Sequence, residues 1–353
     1  MILTDSMLTA AFNFRKTEPW MNFTDSDIFA VRLSSGETGY CSIMGHAGQH
    51  HALGFYIGDK GFSAYLKTIS MSDSDIFEMS EVVMTFDCIN CDFMNAADIE
   101  PEKKKIIKAY AELNGVKVPR PYGWPDFTRF TPNKMQWHIT SKDDGKYITE
   151  ALVAATYMVE YFEGKSYEDV GLDPVGKYPT RAGGKKVPLL IPQSDGSFQL
   201  STTKLPALRD DTYPAVIFEN DILSHKIMEQ KPSSILQCRF LHMPAPTNVK
   251  GQEVPVFPAL LLCVDTADGF VFPVCVADYP ENPQQLLADF ANILCSTCGR
   301  PPKIFVNDDK TKNLLNDFCR KCGIIIKRQK NLPQLEDAYN SIISSIMGKG
   351  SIY

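Results

Sequence analysis

The sequence predicts two domains: an α+β N-terminal domain with an antiparallel sheet, and an α/β C-terminal domain whose elements follow the order βββαβαβα. Three observations support this fold class. A chain of 353 residues, 44% of them hydrophobic, can bury more than one ordinary core. The first half contains short strand-like runs broken by glycines, and the last third alternates apolar runs with helical patterns. We place the α+β domain at 1–165, a connector with a β-hairpin at 166–230, and the α/β domain at 231–353.

Strand-like runs begin at Asp27 in the N-terminal domain, and glycines mark the turns between them. These runs predict an antiparallel meander, and they are DIFAVRL, GYCSIMG, HHALGFYIG and VVMTFDCINCDFM. Two later segments have helical spacing with polar faces, and they are EPEKKKIIKAYAEL and DGKYITEALVAATYMVEYFEG. The connector contains one hairpin pattern, VPLLIPQSDGSFQLSTT, with its turn at Asp195-Gly196.

The C-terminal domain has the clearest pattern, because apolar strands alternate there with amphipathic helices. Such alternation favours a mixed sheet covered by helices. The predicted elements, in order, are the strands SILQCRFLHM, ALLLCVD and GFVFPVCVAD, a helix from Pro283 to Cys298, the strand PKIFVN, a helix from Asp309 to Cys322, the strand IIIKRQ and a helix from Leu332 to Ile346.

Charge and composition exclude several classes of function. A formal net charge of -6 argues against attraction of the whole molecule to nucleic acid or acidic lipid. The N-terminus lacks the basic start and apolar run of a signal peptide, and no stretch approaches the length of a membrane span. We therefore expect a soluble cytoplasmic protein with no membrane partner. The ten cysteines are then expected to be thiols or metal ligands rather than a disulfide framework.

Two CxxCG units, CSTCG and CRKCG, have a spacing close to that of structural zinc sites. Each unit, however, ends a predicted helix, where Cys298, Cys319 and Cys322 fall on the apolar face. Buried thiols followed by helix-ending glycines explain the same pattern. The negative end of a helix dipole also disfavours the thiolates that zinc requires. We prefer packing and predict no cofactor, and zinc at Cys295, Cys298, Cys319 and Cys322 remains an alternative.

A glycine-rich segment, residues 39–61, contains His46, His50 and His51. A metal or acid-base site there needs Cys41 or a carboxylate such as Asp59 to join the histidines. Surface turns explain the same residues.

Acidic residues of the C-terminal domain suggest a second candidate site. The segments LLLCVDTADGFVF, GRPPKIFVNDDK and GIIIKRQKNLPQLEDA resemble the core of integrases, which belong to the ribonuclease-H-like fold. That resemblance implies carboxylates holding two metal ions, with Asp308 (or Asp309) second and Glu336 third. The opening strand has no acidic residue for the first position, and Asp265 lies one strand later. A metal-dependent nuclease or phosphoryl-transfer enzyme using Asp265, Asp308 and Glu336 is therefore an alternative.

The segment from Arg300 to Lys330 carries nine lysines and arginines against three aspartates. Such asymmetry can attract an acidic partner such as nucleic acid, or it can reflect solvated helix faces.

Most of the chain resembles a bacterial family of uncharacterised proteins with a tandem of domains of unknown function. The segments that carry this resemblance are YCSIMGHAGQHHALGFYIGDKG, PRPYGWPDFTRFTPNKMQWHIT and the C-terminal stretch from ALLLCVDTADGFVFPV to LPQLEDA. The resemblance implies a cytoplasmic two-domain protein and transfers no activity. We predict a non-catalytic interaction protein whose partner is an unidentified protein.

Overall fold

Each of two units of the chain has its own hydrophobic core. Unit 1 comprises residues 1–132 and 136–209, and unit 2 comprises 133–135 and 210–353. The structure is a computed structural model. It describes residues 1–48, 50–70, 81–170, 184–207, 213–243, 245–277 and 279–347.

Unit 1 is built on an eight-stranded sheet in the order β6-β5-β4-β3-β2-β1-β7-β8, counted over the described residues. Its strands are β1 (Phe29–Arg32), β2 (Thr38–Met44), β3 (Ala52–Ile57), β4 (Cys88–Met94), β5 (Trp124–Phe130), β6 (Trp137–His138), β7 (Lys186–Pro192) and β8 (Phe198–Lys204). Strands β1 to β6 form the predicted meander. The antiparallel sheet was predicted for 1–165; β7, a strand of the predicted connector, pairs parallel with β1, so the complete sheet is mixed.

The hairpin predicted for the connector is part of this sheet. Its first strand, β7, pairs with β1 through Ala30 and Leu189. Residues of β7 enter the core on both faces, since Val187 packs on one side and Leu190 on the other. This burial explains why the hairpin joins unit 1. Residues 171–183 of the predicted connector lie outside the described residues.

Helices cover both faces of the unit 1 sheet. The described helices of unit 1 are α1 (Asp5–Lys16), α2 (Gly58–Ser70), α3 (Pro101–Leu113) and α4 (Lys142–Tyr161). Helix α1 was not predicted; Thr4 caps its first turn, and Met7, Leu8 and Phe14 give it a buried face. Across the described part of the chain, no helix has the length and apolar character needed to cross a membrane.

Unit 2 is built on a five-stranded sheet in the order β11-β10-β9-β12-β13, again counted over the described residues. Strands β9, β10 and β11 pair antiparallel, whereas β12 is parallel to both β9 and β13. The strands are β9 (Leu236–His242), β10 (Ala259–Asp265), β11 (Cys275–Val276), β12 (Lys303–Val306) and β13 (Ile325–Arg328). The described helices are α5 (Asp221–Met228), α6 (Pro283–Thr297), α7 (Asp309–Lys321) and α8 (Pro333–Met347).

The third predicted strand of unit 2, GFVFPVCVAD, is reduced to two residues. Val271 bridges to Val264 and Cys275 pairs with Leu261, so the edge strand contains one extra residue between these contacts. Pro273 lies within that bulge and has no N–H to donate. Backbone hydrogen bonds flank the bulge on both sides, with Phe272 N–H donating to Cys263 O at 3.0 Å and Ala277 N–H donating to Ala259 O at 2.7 Å.

The two faces of β9 have different surroundings. Cys238 and Phe240 point into the core formed with α6 and α7. Gln237 and Arg239 alternate with them and therefore point to the opposite face. On that face Gln237 bonds to α8, donating to Gln334 at 2.7 Å and accepting from the Leu335 N–H at 3.1 Å. Arg239 lies on the same face, and its hydrogen bond to Asn307 places it beside the C-terminal end of β12.

Candidate functional site

Arg239 stands on the opening strand, which has no acidic residue for the first carboxylate of the integrase pattern. The residue is 5% exposed. Its guanidinium donates to Asn307 Oδ1 at 3.1 Å, and its Nε lies 3.8 Å from Asp308 Oδ2. A permanent positive charge therefore occupies the face of the sheet beside Asp308.

Asp308 uses both carboxylate oxygens within the protein. Its Oδ1 accepts the Thr311 N–H at 2.7 Å and its Oδ2 accepts the Thr311 hydroxyl at 2.6 Å, so it caps α7. The Thr311 hydroxyl oxygen in turn accepts the Phe240 N–H at 2.8 Å. This chain of hydrogen bonds gives Asp308 a structural role that needs no metal.

Asp265 lies far along the sheet from Asp308. It pairs with Leu236, whereas Phe305 pairs with Gln237, which places Asp308 at the level of Phe240. Four residues along a strand span about 13 Å. Asp265 also shares the face of Leu236 rather than that of Arg239, and its carboxylate accepts the Ala267 N–H at 2.8 Å. The register therefore keeps these two carboxylates apart.

Glu336 lies in the first turn of α8. Its Oε1 accepts the Leu332 N–H at 3.3 Å, an arrangement that stabilises the start of the helix. Gln334, two residues earlier, makes the contact with β9. Asp309, the other candidate for the second position, forms an ion pair with Arg328 at 2.9 Å. Each of these acidic residues therefore has a structural contact of its own.

The four cysteines of the CxxCG units lie at the ends of two helices. Cys298 and Cys322 are the C-cap residues of α6 and α7. Cys319 and Cys322 are fully buried, while Cys295 and Cys298 are partly buried against the same core. The glycines that follow the helices adopt φ values of 78° at 299 and 66° at 323. The predicted helix-ending role of both glycines is confirmed.

Burial keeps three of these four thiols protonated. It raises the pKa of the Cys322 thiol to about 11. It also raises the pKa of Cys298, and that of Cys319 well above the ordinary thiol value. These pKa shifts describe the metal-free thiols, and a bound zinc would itself deprotonate its ligands, so the arrangement of the side chains decides whether a site exists. Within the described residues, no group of three or more histidine, cysteine or acidic side chains is arranged to hold a metal ion.

Asp92 is the carboxylate that joins the histidine segment of unit 1. His50 Nε2 lies 3.0 Å from Asp92 Oδ1, and this hydrogen bond raises the pKa of His50. The two partners considered from the sequence are engaged elsewhere. Asp59 accepts the Tyr40 hydroxyl at 2.8 Å, and Cys41 is buried in the main core of unit 1. Sequence spacing could not reveal Asp92, because β4 brings it beside β3 from about 40 residues away.

His51 is packed between two aromatic rings rather than exposed in a turn. Its ring centroid lies 4.3 Å from that of Trp20 and 5.1 Å from that of Tyr122. Burial, together with the charge of Arg15, lowers the pKa of His51. His46 contacts the Trp20 carbonyl oxygen through Nδ1 at 3.0 Å. The histidines thus contact loop residues of unit 1. Tyr122, in the aromatic segment before β5, is the sequence signal that could have indicated the packing of His51.

Ion pairs neutralise part of the positive charge of the segment from Arg300 to Lys330. Arg320 pairs with Asp317 at 2.5 Å, and Lys321 pairs with Asp221 at 3.1 Å. Lys303 lies 5.5 Å from the centroid of the Phe305 ring, on a sheet strand. The segment is therefore a mixture of paired and solvated side chains.

Comparisons with known proteins identify two domains in tandem. Residues 5–172 match a domain of unknown function (DUF7309), and residues 223–343 match a second domain of unknown function (DUF6930). The expected tandem of uncharacterised domains is confirmed. No curated protein matches the chain.

Two solved structures share a weak similarity with part of the chain. The catalytic core domain of HTLV-2 integrase, a trimeric form in complex with magnesium, is 22% identical with a TM-score of 0.24; the match covers 33% of this chain and 71% of that one. The simian T-cell lymphotropic virus intasome in complex with the PP2A regulatory subunit B56 gamma is 14% identical with a TM-score of 0.23. That match covers 35% of this chain and 44% of the other.

Proposed function

We propose that the protein is a non-catalytic binding protein, and that unit 2 is a ribonuclease-H-like domain in which Arg239 stands in place of the first catalytic carboxylate. The sheet order of unit 2, with three antiparallel strands followed by two parallel ones, supports this fold assignment. The position of Arg239 supports the non-catalytic role.

The charge of Arg239 is the observation that carries the proposal. A two-metal site uses carboxylates to offset the charge of two divalent cations. A guanidinium stays protonated in proteins, and here it is buried with Asn307 and Asp308 among its polar neighbours. It adds positive charge where cations would bind, and its attraction to Asp308 satisfies a carboxylate that a metal would need.

The alternative, a metal-dependent nuclease using Asp265, Asp308 and Glu336, gains no support from the register. Metal ions in such sites lie about 4 Å apart. The pairing of β9 with β10 and β12 separates Asp265 from Asp308 by about 13 Å along the sheet. The second alternative, a structural zinc site, gains no support from the geometry, because within the described residues no group of three or more potential ligands is arranged to hold a metal ion.

A protein partner in the cytoplasm fits two further features. All ten cysteines are free thiols, as expected in a reducing compartment. Along the edge of the unit 2 sheet, Phe270 is 54% exposed and Val276 is 49% exposed, with Val271 and Val274 also partly in solvent. Neighbouring exposed apolar side chains of this kind are typical of surfaces that contact another protein.

A hydrolysis assay tests the proposal. The full chain is incubated with labelled single-stranded and double-stranded oligonucleotides and either Mg²⁺ or Mn²⁺, next to an Asp308→Asn variant. We expect the same background cleavage in both samples, because Asp308 has a capping role that asparagine can also fill. Metal-dependent cleavage that is lost in Asp308→Asn would overturn the non-catalytic assignment.

A further inference from the structure

Cys238 and Cys263 form a pair of facing thiols inside the unit 2 sheet. They are directly opposite each other on the antiparallel strands β9 and β10. The Cys238 S–H donates to Cys263 Sγ, and the two sulfurs lie 3.0 Å apart. Both residues are buried, with exposures of 0% and 3%. The pair is not part of either CxxCG unit, and the binding role proposed above does not use it.

The hydrogen-bond pattern of the sheet places this pair at a site where strands approach closely. The Met243 N–H donates to Pro258 O toward β10, whereas the Phe240 N–H points away, to Thr311. Alternation along β9 then turns the Cys238 N–H away from β10 as well, so Cys238 and Cys263 are a non-hydrogen-bonded pair. In such pairs the Cα atoms are about 4.5 Å apart, within the range that a disulfide can bridge.

We propose that Cys238 and Cys263 are a thiol modification site that closes to an intramolecular disulfide on reaction with a small-molecule disulfide such as oxidised glutathione. The bond requires the sulfurs to move from 3.0 Å to about 2.05 Å. Their strands already hold them in register through seven paired residues. The required movement is therefore one of side chains rather than of strands.

The reaction balances as two thiol-disulfide exchanges. The thiolate of one cysteine attacks the small-molecule disulfide, forms a mixed disulfide and releases one small thiol. The thiolate of the second cysteine then attacks the first cysteine's sulfur and releases the other small thiol. The two cysteines together lose two protons and two electrons, and the small-molecule disulfide takes up both to become two thiols.

Access to the pair is through the edge of the sheet. Burial raises the pKa of Cys263 well above the ordinary thiol value, so the folded resting state reacts slowly. The edge segment pairs with β10 through Cys275 and Val276 and through the Phe272 N–H, which donates to Cys263 O at 3.0 Å, and the bulge around Pro273 interrupts this pairing. Local opening of this edge uncovers β10 without unfolding the unit. The rate of oxidation is thus expected to follow the opening of the edge.

Thiol counting and peptide mapping test the proposal on the full chain. The reduced protein is incubated with oxidised glutathione in native buffer, small molecules are removed, and thiols are counted after denaturation. We expect the count to fall from ten to eight, with a mass lower by about 2 Da. Trypsin combined with a protease that cuts before aspartate yields residues 227–239 and 251–264, each with one cysteine. Their cross-linked product identifies the bond.

Variants assign the bond to this pair. Cys238→Ala should lose the cross-linked product, whereas Cys319→Ala, a change at another fully buried thiol of the same core, should retain it. If Cys238→Ala does not fold, the peptide map of the unmodified chain decides the question. Ten thiols remaining under conditions that oxidise the denatured chain would overturn the proposal. So would a dominant cross-link between other cysteines.

Discussion

Replacing Arg239 with alanine should destabilise unit 2 by about 3 kcal/mol. The change removes a charge-assisted hydrogen bond to Asn307, which contributes about 1.5–3 kcal/mol. It also removes the attraction to Asp308, at about 0–1 kcal/mol because that carboxylate is 22% exposed. The loss of a packed side-chain stem leaves a cavity that adds to the cost. With an m-value of about 2 kcal/mol/M in urea, the midpoint should fall by about 1.5 M.

The distribution of tryptophan makes the assay specific for each unit. The three tryptophans, Trp20, Trp124 and Trp137, all belong to unit 1. Tryptophan fluorescence during urea unfolding therefore follows unit 1, whereas far-UV circular dichroism follows both units. In Arg239→Ala, the part of the circular dichroism transition that comes from unit 2 should move to a lower urea concentration. The fluorescence transition, which follows unit 1, should stay at the same urea concentration.

An exposed arginine in the same unit supplies the matched control. Arg328 is paired with Asp309 at 2.9 Å, and its side chain is 56% exposed. Arg328→Ala should change stability by less than about 0.5 kcal/mol, since exposed pairs contribute little. The reasoning is refuted if Arg239→Ala and Arg328→Ala have equal effects, or if Arg239→Ala shifts the fluorescence transition.

Three further predictions concern the other candidate residues. Asp308→Ala should lower the stability of unit 2 by about 1–2 kcal/mol in the same urea assay, whereas Asp308→Asn should lose less, because its amide oxygen can still accept the Thr311 N–H and cap α7 although the second carboxylate oxygen is gone; equal losses would contradict the capping role. Since the pKa of His50 is raised in the folded protein, its contribution is present below about pH 6.5 and is lost as the pH rises through the folded value. His50→Gln should therefore lower the fluorescence midpoint more at pH 5.5 than at pH 8.5, and a reversed order would refute the assignment. Elemental analysis of chelator-washed protein should find well below one zinc per chain, both in the unmodified chain and in a Cys298→Ser, Cys322→Ser variant; one zinc that the variant loses would establish the zinc site.

Local patterns predicted much of the architecture. The meander of unit 1 follows from alternating apolar residues in runs such as GYCSIMG, and the structure places β2 at Thr38–Met44. Helices α6 and α7 begin at Pro283 and Asp309, as their N-terminal signals and apolar spacing predicted. The third strand of unit 2 is shorter in the structure than predicted, because Pro273 and the bulge interrupt its regular pairing with β10.

Contacts between distant segments could not be predicted in the same way. The parallel pairing of β1 with β7 joins residues about 160 positions apart, and no local pattern specifies it. The same holds for Asp92 beside His50 and for Arg239 beside Asp308. The acidic residues were identified from the resemblance to the integrase core, whereas register decides whether carboxylates converge. Strand pairing is therefore what the sequence analysis of the site lacked.

A calorimetric titration of the full chain with Mn²⁺ tests the central claim most directly, because it measures metal binding without assuming a substrate. The buried charge of Arg239 beside Asp308 predicts no stoichiometric site. We expect heats indistinguishable from those of an Asp308→Asn variant. Binding of one or two Mn²⁺ per chain that disappears in Asp308→Asn would show that these carboxylates hold metal, and it would contradict the account.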